Sequence, residues 1–233
     1  MSFEIKSTKD VVKTDGVKIL MFAESGFGKT SAIGTIEGKT LLLNVENGTM
    51  VLRDKDIDVI DIPDIDTLGK VYMAIKNGEL KYDTVAIDSL SEIGEMLITQ
   101  LEKDEYYGNP SNVFKLFGEY TRRMVNMAKM FRDLKGVNVV LTALAENVEA
   151  NGTVTKLPMI PAKKAQAKLI SLFDEVYYGQ TKGDGERWLH TEDGTGYRAK
   201  SRAGIFNREV EITNGAESSL TLGQMIKKIQ TNK

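Results

Sequence analysis

Apolar residues in this chain fall into short runs divided by polar turns, and the spacing within the runs alternates between two periods. Residues 17–23 (VKILMFA) read as a strand and 28–37 as a helix closed by Gly38. Residues 40–48 (TLLLNVENG) give a second apolar strand entering a turn, and 57–62 (IDVIDI) a third. Over 66–77, Leu68, Val71, Tyr72 and Ile75 recur at helical spacing. The fourth strand, 82–89 (YDTVAIDS), is almost continuously apolar, as suits a strand covered on both faces. Helices are predicted over 91–104 and 113–134, around a turn-rich stretch at 105–112 (EYYGNPSN), and then a strand at 137–144 (VNVVLTAL). Alternation of this kind predicts a parallel sheet with right-handed crossovers.

From residue 145 the pattern changes. Asn151-Gly152 lies between alternating residues and signals a hairpin. Residues 161–173 open with proline and read as a basic amphipathic helix. Strands at 174–179, 186–191, 197–200 and 207–213 precede a short helix at 220–230, and together they predict an antiparallel extension of the same sheet. No repeat, low-complexity tract or linker interrupts the sequence. The expected layout is an N-terminal segment, 1–16, and a single α/β domain over 17–233 with a mainly parallel sheet flanked by helices.

Composition narrows the chemistry. The 233 residues include no cysteine and one histidine, His190. A disulfide framework, a thiolate zinc site and a multi-histidine metal centre are therefore excluded. Net charge is -2, so a nucleic-acid partner requires a local basic patch. Residues 1–16 are polar, and no apolar run approaches the roughly 20 residues of a membrane span. A cytoplasmic protein without a membrane partner is the expectation. Met124, Met127 and Met130 have helical spacing and read as core. Trp188 and His190 lie two apart on a strand and are given no chemistry.

The segment 23–30 (AESGFGKT) fits the phosphate-loop pattern, with alanine at the first position where glycine is commoner. Small residues let backbone N–H groups curl around phosphates, and the following helix adds its positive end. Ser25, Gly26, Phe27, Gly28, Lys29, Thr30 and Ser31 are thus the candidate ATP-binding residues. Lys29 would reach the β- and γ-phosphates, and the Thr30 hydroxyl would ligate Mg²⁺, while the Phe27 side chain points away. A phosphate loop also needs an acid at the tip of an apolar strand, and Asp88 supplies one, with Ser89 beside it. Two roles are open for Asp88, a water-mediated metal ligand or a cap of the following helix. Hydrolysis needs a group that activates water. Glu46, after a strand expected to lie beside the phosphate-loop strand, is the candidate base; a surface turn acid is the alternative.

These residues resemble the RecA-type recombinase core over about 17–213, in particular the short phage ATPases that consist of that core alone. Leu43-Asn44-Val45-Glu46 is similar to the family's strand and water-activating glutamate, and 86–93 (AIDSLSEI) to its metal-binding strand. Residues 117–144 resemble the long helix and central strand behind the first DNA loop, with Thr142 where the family commonly has a glutamine sensor. Residues 197–212 resemble the strand pair carrying two cations that act on a neighbouring subunit's nucleotide. Lys200 and Arg202, two apart on one side of a strand, are the candidates; a solvated basic edge is the alternative.

The resemblance implies a homo-oligomer or filament and two loops facing single-stranded DNA, 103–116 and 145–160. Tyr106 and Tyr107, with Lys103, Phe114 and Lys115, offer stacking faces and cations in the first. Lys156, then Lys163 and Lys164 on the next helix, serve the second. Glu102, Asp104 and Glu105 sit alongside and repel phosphate. The leading expectation is a Mg²⁺-dependent ATPase that binds single-stranded DNA and supports phage-type recombination or annealing, with a single-strand-binding protein or other phage replication proteins as partners. The alternative is a P-loop switch or assembly ATPase acting through a protein partner, as a helicase loader does. Glu24 stands where partition ATPases usually carry an extra lysine. A metabolite kinase would need lid arginines, and none cluster where a lid is expected.

Overall fold

A computed structural model describes residues 16–46, 48–150, 152–213 and 215–231. The first strand, β1 (Lys18–Ala23), is buried along its whole length. It runs into the phosphate loop and the short helix α1 (Lys29–Ile33), which ends in a turn at Gly34, well before the predicted residue 37. Then come β2 (Thr40–Asn44), β3 (Asp58–Asp61), α2 (Ile65–Lys76), β4 (Thr84–Asp88) and α3 (Leu90–Glu102). A 3₁₀ turn at Pro110–Asn112 leads into α4 (Val113–Arg132), followed by β5 (Asn138–Ala150), β6 (Thr153–Pro158) and α5 (Lys163–Leu172). The chain closes with β7 (Glu175–Lys182), β8 (Glu186–His190), the two-residue β9 (Lys200–Ser201), β10 (Glu209–Glu211) and α6 (Leu222–Thr231).

Strand order across the sheet is β10-β8-β7-β1-β5-β4-β2-β3. Pairing is parallel from β7 through β1, β5, β4 and β2 to β3. β8, β9 and β10 add antiparallel pairs on the other edge, so the expected mixed sheet with an antiparallel C-terminal extension is present. One expectation fails here. β2 does not lie beside β1: it pairs with β4 and β3, and β4 and β5 stand between. Hydropathy marks a strand as buried on two faces but does not say which strands flank it.

The alternate side chains of the central strands feed two cores. Leu20, Phe22, Leu43, Ile87 and Leu141 face one side and pack with the inner faces of α2, α3, α4 and α5. Ile19, Met21, Leu42, Ala86 and Val140 face the other, under α1 and α6. A fully buried leucine or isoleucine contributes about 1.5–3 kcal/mol relative to exposure, so these strands carry much of the fold's apolar stabilisation. Closure of the thinner layer depends on Gly223 of α6, where an added methyl would lie 2.1 Å from the Thr35 carbonyl oxygen.

β5 outruns its predicted end at residue 144. Its last residues leave the main sheet and pair with β6 from Ala145↔Pro158 to Ala150↔Thr153. The stretch assigned to a DNA-facing loop, 145–160, is thus largely a two-stranded arm. Gly152 has the positive φ of 75° that the hairpin turn needs; Asn151 and residues 1–15 lie outside the described residues.

Candidate functional site

The site begins where β1 ends. Gly26 and Gly28 have φ of 79° and 96°, values that side chains disfavour, and they curl the loop back toward its own strand. Phe27 between them is 2% exposed. Its ring lies against β7, so closely that a methyl on Gly179 would come within 2.6 Å of it. The side chain anchors the loop against the sheet. Ser25 and Gly26 are exposed, and Ser31 is half-buried on α1.

Lys29 is 7% exposed, and its Nζ donates to the carbonyl oxygens of Ala23 and Glu24, each at 3.2 Å. Burial pushes its ammonium below the ordinary lysine value, while the charges of Glu46, Asp88 and Glu24 pull it back up. Those three acids define the electrostatics of the loop. A buried cation turned onto loop carbonyls is held where a phosphate would replace them as its partner.

Asp88, at the tip of β4, is 3% exposed. Its Oδ2 accepts from Thr30 Oγ1 at 2.5 Å, and its Oδ1 accepts from the Thr142 hydroxyl. The Asp88–Ser89 peptide is cis. Ser89 precedes α3, and its hydroxyl donates to Glu46 Oε1 rather than capping that helix. The N–H groups of Val45 and Glu46 both donate to the Asp88 carbonyl, at 2.9 and 3.2 Å. Glu46 therefore reaches the loop although its strand is distant from β1, because the tips of β2 and β4 are tied together. Thr142 sits opposite Met21 in the β1–β5 register, so it enters from the strand between.

The oxygen set suits magnesium. Mg²⁺ is normally held by one or two protein oxygens together with substrate phosphates. Thr30 Oγ1 and Asp88 Oδ2 already share one spot, and among the described residues no group of three or more His, Cys, Asp or Glu could hold a metal unaided. Gly26 has no atom within 4 Å of where a Cβ would stand, so the loop is open to solvent there.

Other predicted residues are distributed differently. Lys156, on β6, pairs with Glu24 of the phosphate loop rather than projecting from the arm. Tyr106 is 52% exposed, but Tyr107 is half-buried against the core, with the two rings edge to face at 5.2 Å. The pair thus presents one ring, with Lys115 Nζ 4.8 Å over it. Lys163 and Lys164 open α5. Lys200 faces Val176 near the start of β7, the end of the sheet opposite the loop, and its Nζ donates to the Ser171 carbonyl at 3.3 Å. Arg202 falls just past the short β9, in a bend, and pairs with Asp174. Within one chain neither cation reaches its own phosphate loop.

Two features escaped sequence reasoning. One is the Ser89–Glu46 bond, whose partners are 43 residues apart. The other is Arg187 of β8, whose guanidinium lies over Gly28. The first had a weak signal in the Asp-Ser pair; the second had none, since it depends on strand pairing alone.

No curated protein matches this chain. A family model described as an AAA domain matches residues 15–203, which takes in the phosphate loop, both acid-bearing strand tips and the β7–β8 pair. With that span covered and the loop, acids and parallel sheet arranged as above, the chain belongs to the AAA domain family of P-loop ATPases.

Proposed function

We propose that this protein is a Mg²⁺-dependent ATPase with a RecA-type core whose hydrolytic cycle is coupled to single-stranded DNA. The observation that carries the ATPase reading is the convergence of Thr30, Asp88, Ser89 and Glu46 around Lys29. Loop N–H groups and Lys29 hold the β- and γ-phosphates. Thr30 and Asp88 would hold Mg²⁺, which when bound would neutralise phosphate charge. Glu46 takes a proton from the attacking water as the water's oxygen bonds to the γ-phosphorus. The bond from that phosphorus to the β–γ bridging oxygen breaks, leaving ADP and phosphate. Ser89 fixes the direction of the Glu46 carboxylate, and Thr142 fixes that of Asp88. Lys200 and Arg202, remote from their own loop, serve a neighbouring subunit in an oligomer.

Support for the strand lies in a groove of about 750 Å³ between α4 and α5. Phe114, 94% exposed, and Phe117 line it, with Lys129, Lys163, Lys164 and Lys168 along its walls. No acid lines it. Glu119, one turn along α4, is held by Arg122 and Arg123, and its carboxyl is lowered to about 2, chiefly by the Arg122 hydrogen bond. Flat apolar rings beside cations suit bases and phosphates of an unpaired strand. This groove, rather than Tyr107 and Lys156, is the surface we assign to DNA.

Steady-state ATP hydrolysis with and without unstructured single-stranded DNA, at low salt with Mg²⁺, tests the reading. Stimulation that fades with salt supports it. Hydrolysis indifferent to the strand would favour the second reading, a P-loop switch acting through a protein partner, for which the same groove would take an acidic, apolar segment.

A further inference from the structure

We propose that Arg187 is a second cation of the nucleotide site, holding the inner phosphates of a bound nucleoside di- or triphosphate from the flank opposite the acids. The inference rests on the phosphate-loop reading above and adds a residue to it.

Register places the side chain. Ala23, the last residue of β1, is level with Gly179 of β7. Two residues further along β7, Thr181 pairs with Arg187 of β8. The β7–β8 pair therefore extends past the end of β1, and Arg187 stands at the height of the loop. Its guanidinium turns inward: a methyl on Gly28 would meet Nη1 at 2.9 Å and Cζ at 3.2 Å. The residue immediately before Lys29 is thus covered by a second positive group.

That group lacks a counter-charge. Among the described residues no carboxylate pairs with the Arg187 guanidinium and no acceptor bonds it; only its backbone is engaged, the N–H donating to Thr213 Oγ1 at 2.9 Å and the carbonyl accepting from Ile212 N–H at 2.7 Å. The nearby acids are occupied. Glu24 holds Lys156, Glu186 accepts from Trp188 Nε1, Glu209 holds Lys182, and Glu211 accepts from Ser218. Arg187 is intermediate in exposure, so solvent holds part of its charge and its five donors in the free protein, and an anion can replace that solvent. An exposed stem can serve as packing alone, but then nothing requires the charged head to lie on the loop. A phosphate does require it, because the planar fork matches two phosphate oxygens at once.

The flank decides which phosphates. Sheet order runs β8-β7-β1-β5-β4-β2, so Asp88 and Glu46 approach the loop from one side and Arg187 from the other. The acid side is where metal binding and water activation are assigned. Arg187 is left with the inner part of the phosphate chain, which ATP and ADP share. Its contribution should fall on affinity and leave the chemical step alone.

Calorimetric titration of the full chain with MgATP and MgADP tests this, using wild type, Lys29→Ala, Arg187→Ala and Arg187→Lys, each with its melting midpoint. The expected result is a loss of about tenfold in affinity for both nucleotides in Arg187→Ala, the size of one charge-assisted contact. Arg187→Lys should recover part of it. Unchanged affinity in Arg187→Ala beside lost binding in Lys29→Ala would overturn the inference and leave the phosphate loop standing. A loss confined to ATP would also overturn it, moving the contact to the γ end. Absence of nucleotide binding by the wild type would overturn both. Should Arg187→Ala unfold, the Arg187→Lys and Arg187→Gln pair decides: equal affinities sink the proposal, and weaker binding by the glutamine variant sustains it.

Discussion

The two flanks of the phosphate loop are built on opposite plans. Toward β5, β4 and β2, polar side chains are locked to one another: Thr30 and Thr142 on Asp88, Ser89 on Glu46. Toward β7 and β8, the loop is held by an apolar anchor, Phe27 under Gly179, and overlain by Arg187. One flank has its hydrogen bonds made in advance, which fixes the direction of each oxygen. The other offers a fitted ring and an unanswered charge. Pre-set carboxylates suit a step in which charge and protons move, whereas a packed ring with a spare cation suits grip. On the reading proposed above, reaction and retention are separated on a single loop by which neighbouring strands flank it.

If that division is sound, variants on the two sides should fail in different ways. The largest effect belongs to the shared centre: Lys29→Ala should remove measurable ATP binding by calorimetry, and turnover with it. On the acid flank, Glu46→Gln should retain ATP but lower kcat by about 10²–10⁴, the usual worth of a general base. Full turnover in this variant would break the comparison on that side. On the anchoring flank, Gly179→Val should press on Phe27 and destabilise the chain by about 1–3 kcal/mol, lowering the melting midpoint and the ATP affinity together while leaving kcat at saturation near wild type. Thr142→Val should cost about 1–3 kcal/mol in denaturant unfolding by stripping a partner from buried Asp88. It should also lower kcat more than affinity, which sharpens the contrast with Gly179→Val.

The smallest effect is one of pH, at His190. Burial pushes this imidazole below the ordinary histidine value, against the pull of Glu209, and Lys182 and Arg208 push the same way as burial. Its Nε2 lies 2.8 Å from Gln180 Oε1. Nδ1 is 3.3 Å from Glu209 Oε1 yet makes no aligned hydrogen bond, so the ion pair is weak. The unfolded chain takes up a proton near the ordinary histidine value and the folded chain only at lower pH. Stability is therefore full above that value and declines as pH falls across the interval between the two. Denaturant unfolding at pH 7 and pH 5 should show the decline, and His190→Gln should flatten it. Because β8 also carries Arg187, nucleotide affinity serves as a second readout of the same strand.

Much of the acid flank is legible in the sequence and little of the other. The phosphate loop announces itself through Gly26, Gly28, Lys29 and Thr30 in fixed order, and Asp88 through its position at the end of an apolar run. Glu46 could be named as a strand-tip acid, but the reason given for it, adjacency of β2 to β1, is wrong. It arrives through the backbone bonds tying Val45 and Glu46 to the Asp88 carbonyl. Tyr107 and Lys156 show the limit from the other direction. Each has the right chemistry for nucleic acid, and the fold assigns one to the core margin and the other to Glu24.

No helix among the described residues is long and apolar enough to cross a membrane. By itself the sequence determined the α/β class, the glycine-lysine-threonine loop after β1 and the acid at the tip of β4. These depend on local rules: a period of 2 or 3.6, glycine's access to positive φ, and a short spacing from strand to helix. Only the tertiary structure decided which strands flank β1, that residues 145–158 form an arm, that α4 and α5 enclose a basic aromatic groove, and that Arg187 covers Gly28. Those outcomes depend on contacts between residues far apart in the chain, where many pairings bury similar apolar area and only packing of the whole sheet selects one.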